Sequence, residues 1–211
     1  MRSETVLFDL DGTLIDSGAA ILASFRHATR TVLGRDYADH VLMAGVGGHG
    51  LHRQMADLDP ERVDDLVQAY RDHNLDSYRT IRVFPGVDAV LAHLREDERT
   101  LGMVTVKSRA TVELTFEIAQ LGSYFETVVT GDDVERHKPE PDALVLAAGR
   151  LGADPSSTAY VGDSPFDIQA AKEAGMRAVA VSWGGIHPRA RLAQHRPDAI
   201  VDVPGELLRA L

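Results

Sequence analysis

The sequence predicts an α/β fold, a doubly wound, Rossmann-like parallel sheet into which a small α-helical domain is inserted. Three observations carry this expectation. Short apolar runs of strand length recur along the chain, stretches with apolar residues at helical spacing separate them, and one long gap after the first run breaks the rhythm. At 211 residues there is room for one core of ordinary size and one accessory unit.

The first run, TVLF at Thr5–Phe8, is apolar and rich in strand formers, and reads as a buried strand. From about Ser17 to about Arg82 no convincing strand follows. Polar and apolar residues there keep a helical period, interrupted by the turn-forming GVGGHG at Gly45–Gly50. The expected division is therefore 1–16 and 82–211 for the α/β core and 17–81 for a helical cap. Phe84-Pro85-Gly86 marks the return to the core, and DAVLAHLRED, a helix, follows it. The alternation then runs TLGMVTV, RATVELTFEIAQLG, ETVVT, PDALVLAAGRLG, TAYVG, PFDIQAAKEAG, RAVAVSW and DAIV. Gly122, Gly152 and Gly175 close three of these helices, where a helix end favours positive φ.

Formal net charge is −10, and the Lys and Arg residues are scattered, so neither nucleic acid nor an anionic membrane is an expected partner. The chain has no cysteine, which removes disulfides, thiolate zinc sites and thiol nucleophiles together. No basic segment followed by a long apolar run opens the sequence, and nowhere do 18 apolar residues stand in succession; the expected location is cytoplasmic.

In an open α/β sheet, ligands collect at the carboxyl ends of the strands. Those ends are polar here. The first strand runs into Asp9-Leu10-Asp11-Gly12, two carboxylates two positions apart, which extended backbone sends the same way. The next ends at Thr105-Val106-Lys107-Ser108, a hydroxyl followed by free amides at a helix start, suited to cradling phosphate. Lys138 precedes a helix start in HKPEP, and Gly162-Asp163-Ser164-Pro165-Phe166-Asp167 supplies two further acids. Four converging carboxylates repel one another unless a hard cation joins them; oxygen ligands with a single Lys suit Mg²⁺. Acids, hydroxyl, lysine and Mg²⁺ together describe phosphoryl transfer.

FDLDGTL, Thr105, Lys138 in HKPEP and GDSPFD, in that order, resemble the haloacid dehalogenase-like phosphatase superfamily, and the likeness spans Val6 to about Gly185. The helical insert resembles the cap of the branch that holds phosphoglycolate phosphatases and phosphoglucomutases; TVKSR and KPEP are most similar to phosphoglycolate phosphatase or pyrophosphatase relatives. The resemblance implies a Mg²⁺-dependent phosphatase acting on a small, phosphoglycolate-like phosphomonoester. A phosphomutase and an inorganic pyrophosphatase are the alternatives. It further implies Asp9 as nucleophile and Asp11 as general acid and then base. Mg²⁺ would rest on the Asp9 carboxylate, the main-chain carbonyl of Asp11 and Asp163, with Thr105 and Lys138 on the phosphoryl oxygens. Asp167 would orient the metal site or Lys138, or touch the metal itself. Relatives commonly carry Asn after the motif Thr, where this chain has Val106, so a backbone amide would meet phosphate there.

Val106, Lys107 and His49 are the candidate substrate contacts, His49 from a cap turn facing the active site. That turn is not a nucleotide loop, since no strand precedes it and it lacks a P-loop lysine. His49 and His52 read as surface histidines rather than a metal pair, and Trp183 as buried packing. Mutase relatives often read DGVI where this chain has Asp11-Gly12-Thr13-Leu14, which favours hydrolysis. A signalling receiver domain gathers similar residues, but carries its acidic pair and phosphorylated Asp on different strands and no such insert. The expected partner is a small phosphorylated metabolite, and the expected assembly a monomer or homodimer.

Overall fold

The computed structural model describes residues 3–77 and 80–211; residues 1, 2, 78 and 79, which fall within the expected core and cap spans, lie outside the described residues. In chain order the first half contains β1 (Thr5–Phe8), β2 (Ile15–Asp16), α1 (Gly18–Ala28), α2 (Asp39–Leu42), α3 (Leu51–Leu58), α4 (Val63–Ser77), β3 (Arg82–Val83) and α5 (Val87–Glu96). The second half contains β4 (Thr100–Val104), α6 (Arg109–Ala119), β5 (Thr127–Val129), α7 (Asp142–Leu151), β6 (Thr158–Gly162), α8 (Pro165–Glu173), β7 (Arg177–Val181), α9 (Arg189–Gln194), β8 (Ala199–Val201) and α10 (Leu207–Ala210).

Six strands form one parallel sheet in the order β5-β4-β1-β6-β7-β8. The sheet is doubly wound. Strand side chains alternate between its faces, so Val6, Phe8, Leu101, Met103, Val161 and Val179 join one apolar layer with α5, while Leu7, Tyr160, Ala178 and Ala180 join another with α7 and α8. The strand order reverses at β1, which pairs with β4 on one side and β6 on the other, and a crevice opens there at the carboxyl ends.

The helices α1 to α4 pack around an apolar core of their own that includes Ile21, Phe25, Met55, Leu66 and Tyr70. Phe25 and Tyr70 meet edge-on with centroids 4.9 Å apart, fastening α1 to α4. The chain passes into and out of this unit through β2 and β3, which pair antiparallel as Ile15 opposite Val83 and Asp16 opposite Arg82. This ribbon was not expected, because two residues a side are too few to show a period.

One departure is local. Gly122 does not cap α6: the helix ends at Gln120 in the left-handed region (φ 53°), which turns Leu121 into the core two residues earlier. Gly152 caps α7 as expected, and Gly175 follows α8 at φ 72°. Trp183 packs against the apolar layer, and its Nε1 donates to the Thr13 carbonyl at 3.0 Å. Among the described residues no helix is long and apolar enough to cross a membrane.

The cap loop lies directly on the core. His187 donates through Nε2 to the Val46 carbonyl at 2.8 Å, and Arg191 to the Ala44 carbonyl at 3.2 Å. Gly47, at φ 84°, leaves no room for a side chain, since a Cβ there would stand 2.7 Å from Ser164 Cβ. The left-handed backbone alone costs a residue other than Gly about 1–2 kcal/mol. Gly47→Ala is therefore expected to lower Tm by roughly 2–8 °C in thermal denaturation, the scale for a chain of this size. A wild-type Tm would mean that the loop does not bear on the core.

Candidate active site

Asp9 follows β1, Thr105 follows β4, Lys138 lies on the loop before α7, and Asp163 follows β6. All four side chains are buried and meet at the crevice. Asp9 is held there by its own amide, which extends the β1–β6 pairing to the Val161 carbonyl at 2.8 Å. Lys138 Nζ donates to Asp9 Oδ1 at 2.9 Å, Asp167 Oδ1 at 2.6 Å and the Tyr160 hydroxyl at 3.0 Å, spending all three donors.

Asp167 is the third residue of α8 and forms a capping box with Ser164. Its Oδ2 accepts from the Ser164 amide at 2.9 Å and hydroxyl at 2.6 Å, leaving Oδ1 for Lys138. Tyr160 donates to the Val104 carbonyl at 3.0 Å, tying this cluster to the neighbouring strand end.

Asp163 has no such support: its Oδ2 is buried without a hydrogen-bond partner. Gly12, at φ 74°, brings the main chain against the same oxygen, so close that a Cβ would stand 2.1 Å from it. Carboxylate oxygens of Asp9, Asp163 and Asp167 lie within 4.8 Å of one another. Burial first, then the neighbouring acids against the pull of Lys138, raises the Asp9 carboxyl to about 7. Burial followed by Asp167 and Asp9 pushes Asp163 well above the usual carboxylate range. Burial also opposes the charge on Lys138, but Asp167 and Asp9 outweigh it and hold the ammonium protonated. A buried oxygen without a donor, an all-oxygen set and raised carboxyls are what a hard divalent cation would relieve, so these residues fit Mg²⁺.

Asp11 is turned differently. Its carboxylate accepts from Ser17 Oγ at 2.5 Å and pairs with Lys107 Nζ at 3.5 Å. With the side chain committed there, the main-chain carbonyl of Asp11 is what is left for the metal contact expected of it. Thr105 Oγ1 accepts from the Lys107 amide at 3.3 Å, which shapes the loop before α6.

Above these groups the cap encloses a cavity of about 700 Å³, lined by Asp9, Asp11, Thr105, Val106 and Lys107 below and by α1, α3 and α4 above. His49 is not among the lining residues, contrary to expectation. Gly47 and Gly50 face the cavity, while the His49 ring is turned outward against Phe166 at 5.8 Å between centroids. His52 is exposed, as expected, and is the histidine of this segment at the cavity's rim. Tyr160, Ser164 and Ser17 also escaped the sequence reading. Ser-Pro-x-Asp was a legible capping box; a tyrosine within an apolar strand gave no signal of its own.

Fold and site together define a doubly wound α/β hydrolase built on a carboxylate–lysine centre at the strand ends. The family model described as haloacid dehalogenase-like hydrolase matches residues 6–181. A pyrophosphatase PpaX from Bacillus cereus (strain AH820) is 36% identical over 212 aligned positions, covering 100% of this chain and 97% of that protein. Among solved structures, one from Bacteroides fragilis described as a haloacid dehalogenase-like hydrolase superposes with a TM-score of 0.89 at 26% identity, covering 98% of this chain and 100% of that one. Another, from Lactobacillus delbrueckii and described as a phosphoglycolate phosphatase, gives 0.87 at 23% identity, covers 100% and 98%, and bears on the fold alone. The chain belongs to the haloacid dehalogenase-like hydrolases and is a phosphatase of that family.

The raised Asp9 carboxyl sets a pH dependence. Between the ordinary value of 3.8 and about 7 the folded state holds a proton that the unfolded chain releases, so this group's contribution to stability is lost as pH rises through that window. A bound cation would replace the proton. Mg²⁺ is therefore expected to raise Tm more at pH 8 than at pH 5 in thermal-shift measurements, and Asp163→Asn to remove most of the difference. Equal shifts at both pH values would dissociate the acidic cluster from metal binding.

Proposed function

We propose that the protein is a Mg²⁺-dependent phosphatase that hydrolyses a small-molecule phosphomonoester through an aspartyl phosphate on Asp9. The observation behind this reading is the position of Asp9: a buried carboxylate at a strand end, one oxygen 2.9 Å from Lys138, beside an acid whose oxygen lacks a donor. Asp9, Asp163 and the main-chain carbonyl of Asp11 would hold Mg²⁺, which when bound supplies charge neutralisation for the attacking carboxylate and the phosphoryl oxygens.

In the first step a carboxylate oxygen of Asp9 bonds to phosphorus as the ester P–O bond breaks, and Asp11 gives its proton to the departing alkoxide. Water then attacks the aspartyl phosphate; Asp11 takes its proton, inorganic phosphate leaves and the Asp9 carboxylate is restored. Lys107, 3.5 Å from Asp11, and Ser17 hold the Asp11 carboxyl in place. Thr105 binds a phosphoryl oxygen, Lys138 reaches another with the donor that Asp9 gives up on turning to phosphorus, and Asp167, with both oxygens already accepting hydrogen bonds, positions Lys138. The likeness to the Bacillus cereus pyrophosphatase supports a second reading, in which pyrophosphate is the substrate and phosphate the leaving group.

The roles of Asp9 and Asp11 separate by leaving group. Asp11→Asn is expected to slow alkyl phosphates by roughly 10²–10⁴-fold. With p-nitrophenyl phosphate, whose phenolate leaves unaided, the variant is expected to give a burst of nitrophenol and to accumulate a hydroxylamine-labile acyl phosphate. Asp9→Asn is expected to give neither. Equal losses on both substrate types, with no trapped label, would remove the acid–base assignment from Asp11.

A further inference from the structure

The cavity under the cap has two chemically different halves. Its floor is the phosphoryl site. Its roof carries an apolar stretch, Ile21 and Phe25 from α1, Val46 from the cap loop, Leu51 from α3, and Tyr70 and Leu75 from α4, beside the polar His52, Gln54 and Asn74. Leu75 is 55% exposed and lines this cavity, so a large apolar side chain stands at its open rim. At about 700 Å³ the space falls in the range of sites for organic ligands of drug size.

The charges tell against a second anionic group. Asp9, Asp11 and Asp132 line the cavity, Lys107 is engaged with Asp11, and Arg53 Nε donates to Asp57 at 3.2 Å. Arg71, at the exposed rim, is the remaining cationic side chain among the described lining residues. A terminal phosphate or carboxylate held beneath Phe25 and Tyr70 would lose water without gaining fixed donors, which costs more than it returns.

We propose that the cavity selects phosphomonoesters whose alcohol carries an apolar, ring-sized body, in preference to pyrophosphate or glycolate-sized esters. This rests on the phosphatase reading above. The phosphoryl group sits on the polar floor, and the body of the alcohol displaces water from the roof, where each added methylene in contact is worth roughly 10-fold or more in kcat/KM.

The test compares ethyl phosphate with 2-phenylethyl phosphate, which have similar alkoxide leaving groups, alongside phosphoglycolate and pyrophosphate, all in Mg²⁺. The expected kcat/KM for 2-phenylethyl phosphate exceeds that of the other three by at least about 10-fold. Leu75→Ser, a change at an exposed position, is expected to reduce the ratio between the two alkyl esters by about 10-fold, a readout that a general loss of folded enzyme does not move. Equal efficiencies for the two esters, or pyrophosphate as the best substrate, would overturn the proposal while leaving the phosphatase chemistry standing. An unchanged ratio in Leu75→Ser would overturn the assignment of the roof. Release of phosphate from none of the four would overturn both readings together.

Discussion

Lys138 is 1% exposed, and its ammonium has to be neutralised where it lies. An ion of this kind taken out of water costs several kcal/mol unless its charge and its donors are both met. Asp9, Asp167 and Tyr160 meet them, and in doing so join the ends of β1 and β6 to the first turn of α8. The position of Asp9 is thus set by the lysine as much as by its own backbone. Asp167 is the pivot, because the capping box that begins α8 also fixes the oxygen facing Lys138. An ordinary device for starting a helix here aims a buried cation.

That ion cluster does not balance. Three carboxylates face one ammonium, and the surplus falls on Asp163, whose free oxygen is shut away from water. A dication would neutralise the set, so metal-free protein carries an electrostatic cost that a cation removes. Structural ion pairs are normally closed on themselves. One left open at a strand end, against a glycine that admits no side chain, is a site shaped for something that arrives from outside.

The core was legible because each part of it repeats a simple rule. Strand residues buried on both faces give short apolar runs, crossover helices give a 3.6-residue period, and acids at strand ends stand out against both. Asp9, Asp11, Thr105, Lys138 and Asp163 could therefore be placed together from the sequence. Side-chain direction could not. The spacing of Asp9 and Asp11 suggested a shared orientation, but the strand ends at Phe8 and the alternation ends with it, so Asp11 turns to Ser17 and Lys107. His49 was misplaced for a similar reason: in a glycine-rich turn no period fixes which residue faces inward, and Phe166 decides it. Gln120 took the left-handed position expected of a glycine because tertiary packing of Leu121 outweighed local preference.

The cap has its own apolar core, and one line of contacts runs from its glycine turn to Asp9. Gly47 packs on Ser164; Ser164 holds Asp167, Asp167 holds Lys138, and Lys138 holds Asp9. The hydrogen bonds from Ser164 to Asp9 are buried, and Gly47 leaves no room for a side chain over Ser164, so the cap turn rests on the support of the lysine. The roof residues stand outside this chain. Ile21, Phe25 and Leu75 line the cavity without taking part in that line of contacts. The apolar lining of the cavity and the contact that reaches Asp9 therefore belong to different residues of the inserted unit, the first to its helices and the second to its glycine turn.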